Sequence, residues 1–257
     1  MGTDKFQVKE KANYLRLILL RDDLQHYDQQ LLIHPEDAKG FINKLRNTRG
    51  VILILENVRD AIHKINLRGE AEYVKHSREL RKDLAFVNHF RNKAVGHLDH
   101  TLLERAVQWS PSLFMNGNET IDETVLIDSQ KAIIESAINS YIDSNGNQKQ
   151  FNTEIDLFYP PDYDLFYSFL QQAVNDSINW LTESIEMLSQ VIKFHSDEEL
   201  KQLASVAGQT NFNLKEESDL SYDETESKKR FESTLEKLKE IETNPDILEF
   251  INKKLKI

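Results

Sequence analysis

Apolar residues recur at intervals of three and four along most of this chain, and breakers seldom interrupt them. Val8, Ala12, Leu15, Leu19, Leu24, Tyr27 and Leu31 make one helical stripe that ends before Pro35. Phe41, Leu45, Ile52, Leu55, Ile62 and Ile65 make a second over Glu36–Leu67, with Gly50 as a bend and Arg68-Gly69 as the stop. Tyr73, Leu80, Leu84, Val87, Ala94 and Leu98 make a third. Pro160-Pro161 opens a fourth, carried by Leu165, Phe169, Ala173, Leu181, Leu188 and Ile192. Side chains at this spacing share one helix face, and an apolar face must be covered. Three long antiparallel helices, closed by a fourth, predict a mainly all-α antiparallel bundle.

The middle reads differently. Ser110-Pro111 and Met115–Asn118 are breakers. Thr124–Asp128 and Gln148–Leu157 alternate as short strands would, around a helix over Ser129–Ile142. The expectation is a small mixed insertion over about 105–160 with a hairpin. The bundle then spans 1–208. Residues 209–227 carry one lysine against six acids and are expected as an acidic flexible linker. Residues 228–257 form a C-terminal helical segment. In it Phe231, Leu235 and Leu238 make a stripe, and Asn244-Pro245 restarts a helix with Asn as N-cap and Pro at N1.

Composition narrows the chemistry. The 257 residues are 39% hydrophobic, enough for one sizeable core. A net charge of −11 argues against a generally basic nucleic-acid binder, and no DNA partner is expected. The absence of cysteine removes disulfides, thiolate metal sites and thiol nucleophiles. No glycine-rich phosphate loop, His-Glu-x-x-His or Gly-x-Ser-x-Gly is present. The start Met1–Phe6 reads as neither a secretory signal nor a myristoylation site. The longest apolar runs, such as Leu17–Leu20 and Val51–Leu55, are too short to span a bilayer. A cytoplasmic protein without a membrane partner or a cofactor is expected.

Late in the third stripe stands Arg91-Asn92-Lys93-Ala94-Val95-Gly96-His97. A guanidinium stays charged and suits a phosphate, while an imidazole takes and gives protons near neutral pH. RNA can be cut by its own 2′-hydroxyl when a base removes that proton and an acid protonates the leaving oxygen. Fixed positive charge then steadies the phosphorane. His97 fits the first role and Arg91 the second, and Asn92 can hold a phosphate oxygen or orient His97. The bland alternative is a solvated surface arginine beside a buried core histidine.

The pattern Arg-Asn-x4-His after a helix resembles the signature of the HEPN superfamily, and the trailing Leu98-Asp99 resembles its U-type abortive-infection branch. The resemblance rests on seven residues, in a helical context covering roughly 4–100. It implies a helical bundle acting as a metal-independent endoribonuclease, a toxin or antiviral effector whose product is a 2′,3′-cyclic phosphate. It also implies an RNA substrate, a homodimer in which two motifs line one cleft, and an antitoxin or phage-triggered partner. Where some relatives carry a tyrosine as a target for modification, this chain has Asp99, so that form of control is not expected. The alternative to catalysis is a HEPN-like helical interaction module or a regulatory partner protein.

Around the motif, Lys93, Asp99 and His100 are candidate substrate contacts, and Asp99 could instead cap the local backbone. A metal held by His97, Asp99 and His100 lacks a matching second cluster, so none is expected. On a regular helix, six residues leave Arg91 and His97 about 120° apart. Either a break in the helix or a second copy of the chain must bring such groups together. Phe86, Phe90 and Ala94 are the candidate dimer contacts, and the small Gly96 allows close approach.

Overall fold

The computed structural model describes residues 7–65, 67, 69, 71–207, 210, 212–215, 224–241 and 244–255. The chain divides after Ile192 into two compact units. The first holds α1 (Val8–Leu32), α2 (Ala38–Lys64), α3 (Ala71–Asp83), α4 (Ala85–Phe90), α5 (His100–Trp109), α6 (Glu123–Asn139) and α7 (Pro160–Val191). The second holds α8 (Asp197–Ala207), α9 (Glu224–Ile241) and α10 (Pro245–Leu255). Among the described residues no helix is long and apolar enough to cross a membrane.

Contacts between helices fix their directions. Arg16, early in α1, pairs with Asp60, late in α2, at 2.8 Å. Lys44, early in α2, donates to the carbonyls of Leu31 and Ile33 at the end of α1. The two helices are therefore antiparallel, and Lys44 caps the last carbonyls of its neighbour. Gln7 reaches the Val191 carbonyl and Gln171 reaches Asp28, so α7 also runs against α1. Trp180 Nε1 donates to Ser77 Oγ at 2.8 Å, and Tyr73 Oη meets Ser184 Oγ at 2.9 Å, which sets α3 against α7. Leu17, Leu24, Leu45, Ile52, Leu55, Phe166 and Trp180 fill the space between these helices.

Local signals explain the ends. Asp37 caps α2 by accepting from the Gly40 N–H at 2.6 Å. Proline at the first turn opens α7. Helix α2 runs unbroken through Gly50. A Cβ at Gly50 would fall 2.3 Å from Tyr27 Oη, so the glycine lets the α1 tyrosine lie against α2.

The expected mixed insertion is corrected. Thr124–Asp128 lies inside α6, and among the described residues the region holds one isolated bridge, Ile142 with Gln148, and no strand. Asp122 caps α6 through the Val125 N–H at 2.9 Å. Ala132, Ile134, Ala137 and Ile138 are then buried by helical packing, with α6 lying against α2 and α5. That burial outweighs the β preference of a short Val-Leu-Ile run. Beyond the bridge of Ile142 with Gln148 and the Lys149 N–H on the Tyr141 carbonyl, Gln148–Leu157 joins no ladder among the described residues, because side chains satisfy its backbone. Gln148 Oε1 accepts from Gln150 and Phe151, Asn139 pairs with both polar groups of Ile155, and Glu135 takes the Leu157 N–H. The segment is thus part of the bundle.

In the second unit α9 packs against α8 and α10, and Leu235 and Ile251 are buried. By these contacts α8 goes with the second unit, whereas the sequence reading ran the bundle to residue 208. Asn244 caps α10 through the Asp246 N–H at 3.0 Å, with Pro245 following it. Helix α9 takes in Glu224–Ser227. Gln209, Asn211 and residues 216–223 lie outside the described residues, and most of the expected linker with them.

Candidate active site

The site begins with α4. Phe86, Val87 and Phe90 are at most 1% exposed and lock this short helix into the core. Ala94 is buried likewise. Phe86, Phe90 and Ala94 are therefore not free to form a dimer contact: all three lie in the chain's own core, where Phe86 packs against Phe90, Tyr141, Phe151 and Phe169. With that face pinned, Asn88, Arg91 and Asn92 are left half-buried at the margin.

At Arg91 the helix widens into a π-helical turn, Arg91–Val95. The Gly96 N–H reaches five residues back to the Arg91 carbonyl at 2.8 Å, and the Asp99 N–H reaches six back to Lys93 at 3.0 Å. Such turns recur where a helix is opened at a functional site. The Arg91 side chain folds over the turn. A Cβ at Gly96 would lie 3.0 Å from Arg91 Cζ, so the guanidinium rests against the backbone just before His97. The helix thus departs from regular α geometry over Arg91–Val95, which is one of the two routes that the six-residue spacing left open.

A polar chain reaches this arginine from α2. Glu56 accepts from Asn88 Nδ2 at 2.7 Å, and Asn92 donates to Asn88 in a long contact of 3.5 Å. Arg91 donates to Asn92 Oδ1 at 2.9 Å. Arg59 also touches Glu56, at 3.4 Å. Glu56 Oε2 and Arg59 Nε are buried without a hydrogen-bond partner. Asn92 therefore holds the guanidinium, and one of the five guanidinium N–H donors is spent doing so.

The remaining candidates fall into two groups. His97 is exposed on the turn into α5, and its imidazole makes no hydrogen bond or ion pair among the described residues. This is not the core histidine of the bland reading. Lys93 and Asp99 are joined at 2.7 Å, and Asp99 also caps α5 through the Leu102 N–H at 3.1 Å. The Lys93 ammonium holds the Asp99 carboxyl below the usual range, helped by the Leu102 N–H. Both residues are thus engaged with each other, and Asp99 serves the cap foreseen for it. His100, 87% exposed, begins α5 and faces Glu104 at 3.5 Å.

Asn88, Glu56 and Arg59 were not foreseen. Asn88 stands four residues before Asn92, on the same helical face, and that spacing was the available signal. Nothing local links Glu56 to it. His89 turns the other way. Its Nε2 meets Ser140 Oγ at 3.0 Å and its ring lies beside Tyr141. Burial pushes this imidazole's pKa down, and the Lys93 charge adds to it. Among the described residues no group of three His, Asp or Glu side chains is placed to hold a metal ion.

Compared with protein-family models, with curated proteins and with solved structures, the chain gives no match.

Proposed function

We propose that the chain is a metal-independent endoribonuclease of HEPN type, acting as a toxin or abortive-infection effector. The observation that carries this reading is the π-helical turn. It lays the Arg91 guanidinium over Gly96, directly before an exposed His97, and leaves most of the arginine's donors unspent. In the proposed reaction an imidazole takes the 2′-hydroxyl proton, and the freed oxygen attacks the adjacent phosphorus. Arg91 steadies the charge gathering on the phosphorane oxygens while Asn92 fixes its position. The 5′-oxygen leaves with a proton from a second imidazole, giving a 2′,3′-cyclic phosphate. Each motif supplies one His97, so the reading includes a two-fold dimer with both motifs on one cleft. Contacts for that dimer must come from exposed positions near the turn, since Phe86, Phe90 and Ala94 are core.

Burial of Arg91 and His97 in a dry core would have favoured an interaction module without catalysis. Arg91 is half-buried and His97 exposed, which supports the catalytic reading. The test is cleavage of total RNA in chelator by the wild type beside His97→Ala and Arg91→Ala. Each variant is expected to lose roughly 100-fold or more while keeping its fold. Undiminished cleavage by folded His97→Ala would remove this histidine from the mechanism. Mixing the two inactive variants should restore some activity if the roles are shared between copies.

A further inference from the structure

A groove of about 430 Å³ lies on the face shared by α5, α6 and the segment that follows α6. Arg105, Gln108, Trp109, Ser136 and Ile142 line it. Trp109 is 40% exposed, and its indole N–H is spent on the buried Glu135 carboxylate at 2.6 Å. The ring is therefore held in place, and its π surface is what remains to offer a ligand. Ile142, 54% exposed, adds an apolar contact.

The polar groups divide into spent and unspent. Asn139, also on the wall, uses its amide on Ile155, and Ser140 uses its hydroxyl on Ala137 and His89. Ser136 is 6% exposed, and its hydroxyl has no hydrogen-bond partner. A buried hydroxyl usually finds one, and a serine in a helix has a carbonyl four residues back within reach. Arg105 donates to the Gln108 side-chain Oε1 at 2.8 Å, which steadies an otherwise exposed guanidinium at the mouth. A fixed aromatic plane, an unpaired hydroxyl and a cation at the rim are the parts that take a flat heteroaromatic ring bearing a phosphate.

We infer that this groove is a nucleotide subsite, in which one base of the RNA strand stacks on Trp109, the Ser136 hydroxyl, buried in the groove wall, turns about its Cα–Cβ bond to meet the base edge, and a backbone phosphate meets Arg105. The strand rests on the ribonuclease reading; the base-and-phosphate chemistry does not. Helix α5 joins the two places. It begins at His100, just past the motif, and Arg105 and Trp109 stand about 7.5 and 13.5 Å along it at the α-helical rise. That is the span of roughly two to four nucleotides at 3.4 Å each. The subsite would hold the RNA beside the scissile phosphate and favour a purine, whose larger ring stacks over more surface.

The test uses the full chain carrying His97→Ala and a short fluorescent RNA, read by anisotropy. Trp109→Ala is expected to weaken binding about tenfold or more, the range for loss of one stacked base. Ser136→Ala should cost about threefold or more. Arg105→Ala should weaken binding and lower its logarithmic salt slope by about 0.7, one phosphate contact on a single strand. Adenosine monophosphate should quench Trp109 emission, leaving that of Trp180 unchanged in Trp109→Phe. If Trp109→Ala loses its fold, because Glu135 then lacks a donor, the exposed Arg105→Ala and the quenching still decide. RNA that binds equally well to wild-type, Ser136→Ala and Arg105→Ala chains overturns the subsite and leaves the ribonuclease reading standing. Quenching by the mononucleotide in a chain that neither binds nor cuts RNA upholds the groove and ends the ribonuclease reading. No quenching and no RNA binding overturns it.

Discussion

Glu135 and Arg91 are both charged side chains placed by partners from several parts of the fold, yet they are used in opposite ways. Glu135 is fully buried and both its oxygens are taken. It accepts from Trp109 Nε1 at 2.6 Å, from the Leu157 N–H at 2.7 Å and from Lys131 at 3.2 Å. It thereby ties α5, α6 and the approach to α7 together. Arg91 has one donor engaged and the rest toward the margin of the molecule. A polar cluster whose capacity is spent inward serves the fold. One that is braced from behind and left open in front is placed to meet something else.

The contrast can be broken first at its buried end. Glu135→Leu removes the acceptor for three donors and leaves Lys131 only its longer pairing with Asp156 at 3.6 Å, so stability should fall by about 3 kcal/mol. The denaturant midpoint reads this, and a loss under about 1 kcal/mol would put Glu135 on a par with surface groups. The same carboxyl sharpens the comparison through pH. Burial raises its pKa against the pull of Leu157, Trp109 and Lys131. Compared with the unfolded chain, the folded state thus shifts the balance toward the neutral acid. The stability this contributes is fully present below the unfolded value of about 4.3 and is lost as pH rises through the higher folded value. Denaturation of wild type and Glu135→Gln between pH 4 and 8 should show a difference that grows less favourable to the wild type as pH rises. A flat difference would mean the carboxyl titrates alike in both states.

At the open end, Gly96→Ala puts a Cβ 3.0 Å from Arg91 Cζ and must move the guanidinium. RNA cleavage should fall about tenfold or more while the fold is kept, since small displacements of a positioned group are costly. Unchanged cleavage would show that the arginine's place over the turn is immaterial. Asn88→Ala, which cuts the link from Glu56 to Asn92, should lower cleavage several-fold, by a smaller margin. The smallest effect is expected at Asp99→Asn. The amide oxygen can still cap α5, but Lys93 loses its charged partner, and RNA should bind about threefold more tightly to the His97→Ala chain. Weaker binding would mean that Asp99 itself contacts the RNA.

The two regions were not equally legible in the sequence. The stripes over α1, α2 and α7 come from residues such as Leu24, Leu45 and Leu188, whose spacing is a local property. The motif could be read too, along with the need for either a break in the helix or a second copy of the chain. What stayed hidden was set at long range. Thr124–Asp128 looks like a strand until Asp122 caps it and α2 covers it. Phe86 and Phe90 could be read as core rather than as base-stacking platforms, but their sequence does not say whether a second copy of the chain shares that core. The brace from Glu56 to Asn88 spans 32 residues and exists only once α2 and α4 are packed. Glu135 reads as an ordinary helix acid until Trp109 and Leu157 close around it.

The π-helical turn also makes chain length a variable of the site. It accommodates one residue more than an α-turn would, so the motif tolerates a change of side chain better than a change of count. Removing a single residue between Arg91 and Gly96 would let the helix run on in regular register. The positions after the deletion would keep their place on the helix, while the widened turn that lays Arg91 over Gly96 would be lost. A one-residue deletion should therefore disable the site more completely than any single substitution, though it removes no proposed catalytic group. In natural variants of such a chain, an insertion or deletion within these few positions would mark a copy that keeps the bundle and has given up the site.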